Sequence, residues 1–191
     1  TGSALDGVWT RLKDEITNGY ASGYPGHIDT GITGTWALLK LLTENGRSDF
    51  IHTMTTKTSY PSYGFMLRAK TAADDSRFAS DAATTLWETW SGVNPAQRYK
   101  IQSKLHSSFL YIGAWFIEGL AGIRADIENP GFRNVLLTPY IPDGMRYAAG
   151  SFDSIRGRIV SHWGAVDGKL RHNIVTPPNC TARLELPTDD P

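Results

Sequence analysis

The sequence predicts an α+β chain in two parts, a helical region over residues 1–128 followed by a small antiparallel β-sandwich over residues 129–191. Two observations carry this prediction. Apolar residues in the first part recur at the three-and-four spacing of helices, whereas beyond Asn129-Pro130-Gly131 they fall into short β-type runs. Turn-forming residues separate those runs.

Leu5, Val8, Trp9, Leu12 and Ile16 line one helical face, and Asn18-Gly19 stops it. Trp36, Leu38, Leu39, Leu41 and Leu42 form a second helical segment, with Thr33 or Thr35 as capping candidates and Asn45-Gly46 as its end. Ser48-Asp49 opens a short third helix through Met54. The longest apolar stretch, Leu105 to Leu120, predicts a helix apolar on most sides, which belongs inside a larger assembly. In the second part the expected strands are Val135–Leu137, Ile155–Trp163, Leu170–Val175 and Thr181–Leu186. Asp167-Gly168 is a hairpin signal between two of them, and Pro177-Pro178-Asn179 marks a further turn.

Composition narrows the function classes. Nineteen acidic and nineteen basic residues balance, so no basic excess argues for nucleic acid or an anionic membrane. No apolar run approaches the roughly 20 residues of a membrane span. Cys180 stands alone, which excludes an intrachain disulfide and a cysteine-based zinc cluster. Asn179-Cys180-Thr181 fits the N-glycosylation pattern, a short pattern that is common by chance. No cofactor motif is present, and no metal ligand set is assigned. The chain opens with Thr1-Gly2-Ser3, without a signal-peptide pattern or an initial Met, as a cut or processed piece does.

Six Trp, eight Tyr and seven Phe admit two readings. Aromatic faces stack on sugar rings, but the same residues fill helical cores. Glu88 lies between Trp87 and Trp90 without a basic neighbour, where partial desolvation would raise its pKa towards the range useful for acid–base chemistry. By itself the pattern fits a surface Glu at a helix start at least as well. Trp87, Trp90, Tyr60 and Tyr63 are stacking candidates and equally packing residues. His27 and Asp29 precede a helix, where Asp29 also serves as an N-terminal helix charge.

Seven or more segments occur in a telling order. They begin with His27-Ile28-Asp29-Thr30-Gly31-Ile32-Thr33-Gly34-Thr35, Glu44-Asn45-Gly46-Arg47 and Ser59-Tyr60-Pro61-Ser62-Tyr63-Gly64. Thr84-Thr85-Leu86-Trp87-Glu88-Thr89-Trp90, His106 and Gly119-Leu120-Ala121-Gly122-Ile123 follow. Ser151-Phe152-Asp153 and Asn173-Ile174-Val175-Thr176-Pro177 come later still. Together they resemble glycoside hydrolase family 78, the bacterial-type α-L-rhamnosidases, from about His27 to Pro187. The resemblance implies that residues 1–128 are the C-terminal half of an (α/α)6 catalytic barrel and residues 129–191 a C-terminal β-domain. It implies hydrolysis of terminal α-L-rhamnose from plant glycosides or polysaccharides with inversion, using one carboxyl as acid and another to activate water. It gives Glu88 the role of general base and His106 a contact with the bound rhamnose. A secreted location fits a hydrolase of plant polymers.

The match departs from the family in three places. The general acid of the family lies in the earlier half of the barrel, and no residue here maps to it. The stretch Lys70 to Ala83 is longer than usual, which reads Asp74, Asp75 and Asp81 as a solvated loop. Tyr63 stands where many relatives carry Trp. Half a barrel exposes apolar faces, expected here around Trp115 and Phe116, so the remainder of the same enzyme is the expected partner. Two other readings remain: a polysaccharide lyase on the same barrel acting on rhamnosyl-uronate linkages, with His106 as base, and a non-catalytic sugar-binding fragment.

Overall fold

The computed structural model describes residues 2–68, 82–91, 103–107 and 109–186, with side chains from Asp6 onward. The chain divides into two compact units, Thr1–Tyr111 and Ile112–Pro191. Asp74, Asp75 and Asp81 lie outside the described residues.

The first unit holds α1 (Gly2–Asn18), α2 (Ile32–Glu44), α3 (Ser48–Thr55) and the short α4 (Tyr63–Leu67). Helix α2 buries Thr35, Leu39, Leu42 and Thr43 at helical spacing, and α3 buries Ile51 and Met54. The two helices pack together. Each fully buried Leu, Ile or Met contributes about 1.5–3 kcal/mol. Neither Thr33 nor Thr35 caps α2. The helix starts at Ile32 with Gly31 as N-cap and no side-chain cap bond. The Thr35 hydroxyl donates instead to the Thr30 carbonyl at 3.1 Å. Helix α4 is absent from the sequence reading, although it has a local cause: the Ser62 hydroxyl accepts from Phe65 N at 3.0 Å. Helix α1 is only lightly held. Ile16 is buried, but Val8 is 68% exposed.

The expected long helix from Leu105 to Leu120 is shorter. Among its described residues, only α5 (Ile112–Trp115), continued by a π-helical turn over Phe116–Leu120, is helical. Residues 103–106 pair instead with the 86–88 segment through Glu88 N to Ser103 O and His106 N to Leu86 O, both 2.9 Å. An apolar run does not reveal whether its backbone donors are satisfied within a helix or by a distant strand-like segment. Of the two aromatics expected to be exposed, Phe116 is 50% exposed but Trp115 only 2%.

Among its described residues the second unit carries that helical run and six strands, β1 (Ile123–Ala125), β2 (Asn134–Leu137), β3 (Tyr147–Ser154), β4 (Gly157–Val166), β5 (Lys169–Val175) and β6 (Thr181–Leu184). They form two three-stranded sheets, ordered β1-β2-β6 and β3-β4-β5. The second sheet is antiparallel throughout. In the first, β2 pairs with β6 in parallel, a departure from the all-antiparallel expectation. The chain makes the whole second sheet between β2 and β6, so β6 is free to enter in the direction of β2. Asp167 and Gly168 turn the β4–β5 hairpin with φ of 52° and 71°, the double left-handed geometry of a two-residue loop.

Ile123, Val135 and Leu137 of one sheet and Ile159 of the other share a core with Ala121, flanked by Ile117, Phe132 and Ile174. On β4 the alternate residues Ile159, Ser161 and Trp163 are buried. The Trp163 indole donates to Leu120 O at 2.7 Å and the Ser161 hydroxyl to Ala121 O at 2.6 Å. Strand β4 thereby supplies donors to carbonyls at the end of the helical run, which lack intrahelical partners. Gly122 follows with φ of 75°, and a Cβ there would lie 2.3 Å from Pro139 N. Among the described residues no helix is long and apolar enough to cross a membrane. No group of three or more His, Cys, Asp or Glu is placed among them to hold a metal ion.

Candidate active site

Three segments of the first unit converge on one hollow. The first is the turn before α2. Ile28 is fully buried and anchors it, and the next residue, Asp29, opens onto the hollow. The Thr30 carbonyl then accepts two bonds, from Thr35 Oγ1 at 3.1 Å and from the Trp90 indole N–H at 2.8 Å. The second segment brings Tyr60, which packs its ring edge-on against Tyr24 and Phe65, both at 5.4 Å. The third is the 86–91 stretch with Glu88.

Trp90 joins these segments. Its ring stacks on Phe109 at 3.9 Å and 18°, and Tyr63 meets it edge-on at 5.2 Å. Tyr63 donates its hydroxyl to Phe109 O at 2.8 Å. Burial pushes the Tyr63 phenol well above its usual range, so it remains a neutral donor.

Glu88 is half-buried. Its Oε2 accepts from Ser103 N at 2.7 Å, while its own N–H donates to Ser103 O. The carboxylate is therefore fixed at one oxygen by the same residue that fixes its backbone. Oε1 takes no hydrogen bond among the described residues.

The hollow measures about 600 Å³ and is lined by Asp29, Thr33, Tyr60, Glu88, Trp90 and Phe109, among others. That volume falls within the roughly 300–1,000 Å³ typical of small-molecule sites. Asp29, Tyr60, Glu88 and Trp90 are thus brought together. Trp87, only 2% exposed, does not line it. Tyr63 stands behind Trp90 rather than on the hollow. His27 has both ring nitrogens engaged, Nδ1 with Pro25 O at 2.8 Å and Nε2 with Ser59 Oγ at 2.7 Å. His106 lines a separate hollow of about 440 Å³ with Leu86, Leu105 and Leu110. It does not start a helix; its backbone belongs to the 86–106 pairing.

Thr33, Phe109 and the Thr30 carbonyl went unread as parts of this site. Phe109 reads as a helix-core residue until its ring is seen flat against Trp90. The Thr30 role is a backbone one, which side-chain identity does not announce.

Residues 20–120 match the bacterial α-L-rhamnosidase 6 hairpin glycosidase domain. Residues 122–191 match the bacterial α-L-rhamnosidase C-terminal domain. The chain belongs to the bacterial α-L-rhamnosidase family. Among curated relatives, an α-L-rhamnosidase of Formosa agariphila is 28% identical over 86% of this chain. One of Streptomyces avermitilis is 27% identical, also over 86%. The chain spans only 16% and 15% of the length of those two rhamnosidases. Among solved structures, the Streptomyces avermitilis α-L-rhamnosidase in complex with L-rhamnose superposes with a TM-score of 0.71 at 27% identity, covering 86% of this chain and 15% of that one. The Dictyoglumus thermophilum α-L-rhamnosidase shares the fold with a TM-score of 0.76 at 24% identity, covering 95% of this chain and 18% of its own.

Proposed function

We propose that the polypeptide to which this chain belongs is an inverting α-L-rhamnosidase that releases terminal α-L-rhamnose, with Glu88 as the general base. The helical part of the chain then supplies the C-terminal half of an (α/α)6 barrel, and a preceding stretch of the same enzyme supplies the general acid. The observation that carries the reading is the Glu88 carboxylate itself. One oxygen is held by Ser103 N–H, and the other takes no partner among the described residues, beside a sugar-sized hollow. A fixed carboxylate with an unused lone pair is what activation of a water requires. Trp90, Tyr60 and Asp29 form the nearby wall. Of the two indoles flanking Glu88 in sequence, Trp90 lines the hollow and Trp87 is buried away from it.

The test is Glu88→Gln in the full-length enzyme on an aryl α-L-rhamnoside, with the first-formed anomer followed by NMR. The expected result is a loss of about 10²–10⁴-fold in rate, and inverted β-L-rhamnose as the first product of the wild type. Undiminished turnover in the variant removes the base role. On a polysaccharide with rhamnosyl-uronate linkages, a product carrying an unsaturated uronate would establish elimination in place of hydrolysis.

A further inference from the structure

The described carboxyl groups lining the hollow are two, Glu88 and Asp29. If Glu88 is committed to a water, the sugar's own hydroxyls need other acceptors. The Thr30 hydroxyl is taken by Thr35 Oγ1 at 2.8 Å, and Thr89 and Ser91 face each other at 3.4 Å. Asp29 has no hydrogen-bond donor on either carboxyl oxygen among the described residues. By area the residue is exposed, yet desolvation raises its pKa, and His27 only partly offsets this. Its carboxyl has lost some of its water and meets no protein donor among the described residues.

The mount of Asp29 is rigid on both sides. Ile28 before it is fully buried, and the Thr30 carbonyl after it is tied to both Thr35 and Trp90. Trp90 lies two residues from Glu88, so the two carboxylates are referenced to one another through a single indole. A solvent-side helix charge would need no such mounting, and α2 takes no side-chain cap from Asp29.

We propose that Asp29 is a specificity-determining ligand of the sugar, its carboxylate accepting hydrogen bonds from hydroxyls of the hexose seated in the Glu88 hollow. The proposal rests on the rhamnosidase reading of that hollow. It assigns Asp29 to binding and leaves proton transfer to Glu88. Acceptor-only carboxylates are suited to paired hydroxyls, as each oxygen offers two lone pairs.

The experiment uses the full-length enzyme with Asp29→Asn and Asp29→Ala. L-rhamnose binding is measured by calorimetry, and kinetics are measured on an aryl α-L-rhamnoside and its monodeoxy analogues. Loss of a charge-assisted bond predicts that the Kd for L-rhamnose and KM both rise about tenfold or more, with kcat changed less than about threefold. At least one monodeoxy analogue should be penalised less than the parent sugar by Asp29→Ala, because one of the hydroxyls that Asp29 grips is already gone from it. Unchanged Kd in both variants overturns the proposal. So does a pattern in which Asp29→Ala penalises every deoxy analogue as much as the parent sugar, or a melting temperature lowered in Asp29→Asn, the mark of a helix charge. Wild-type enzyme that fails to bind L-rhamnose overturns this proposal together with the site reading. A fully active Glu88→Gln removes only the base assignment, since the calorimetric readout does not depend on turnover.

Discussion

Trp90 donates its indole N–H to the carbonyl of Thr30 at 2.8 Å, across 60 positions of sequence. With Phe109 flat against its ring, Trp90 joins the turn before α2 to the segment that carries Glu88. Its buried surface is structural, and the bond it makes is one of register between two loops.

Trp90→Phe keeps an aromatic ring for Phe109 but removes the donor and part of the buried indole's bulk. The Thr30 carbonyl retains Thr35 as a partner, so the lost bond costs about 0.5–1.5 kcal/mol, and the space left by the smaller ring adds to it. Activity should fall further than stability, by about tenfold or more in kcat/KM, because small displacements of reacting groups are costly. Denaturant midpoints and kinetics on the full-length enzyme check this. Equal activity in the variant means that the two loops hold their spacing without the indole.

Asp29 carries a pKa raised above its ordinary 3.8. In the window between the unfolded and folded values the folded state binds more protons, so stability falls as pH rises through it. Asp29→Asn should therefore match or exceed the wild type in melting temperature near neutral pH, with the difference shrinking as pH drops below the ordinary carboxylate range. Melting curves across pH on both proteins test the sign.

His172 gives the opposite slope. Ala121 O can only accept, so the Ser161 hydroxyl donates to it and must accept from His172 Nε2–H at 2.8 Å. The remaining nitrogen, Nδ1, is buried without a partner among the described residues, and burial lowers the pKa below 6.5. The unfolded state then binds the proton first, and stability is lost as pH falls from about 6.5 through the folded value. His172→Gln should flatten this acid limb of a pH–melting curve. An unaltered limb would place the titration elsewhere.

Gly122→Ala should destabilise the β-domain. Its φ of 75° and a Cβ only 2.3 Å from Pro139 N leave no room on the backbone side. The cost of the left-handed conformation alone is about 1 kcal/mol, and the clash adds to it. Chemical denaturation followed by Trp fluorescence measures the loss.

The helices α1, α2 and α3 were legible because their apolar spacing and stop residues are local signals. The hairpin at Asp167-Gly168 was legible for the same reason, as φ > 0 at two successive positions restricts the residues allowed. Strand β3 was not read, since Ala148, Ala149, Gly150 and Ser151 carry no β-type side chains. A Cβ on Gly150 would lie 2.4 Å from that of Ala121, so smallness there is set by packing. The run from Leu105 misled because hydrophobicity does not say which backbone partners a segment will find. At the candidate site, the segments containing Asp29, Tyr60, Glu88 and Trp90 were visible as motifs. Their separation from His106 by the 86–106 pairing is a tertiary fact with no local signature.

The carbonyls of Leu120 and Ala121, gripped by Trp163 and Ser161, bear on how the sandwich is handled in the laboratory. A truncation that begins at the first strand would strip an indole and a buried hydroxyl of their acceptors at once. Anyone wishing to express this module alone, graft it onto another enzyme or label it at its leading edge should carry the segment from Ile112 along with it.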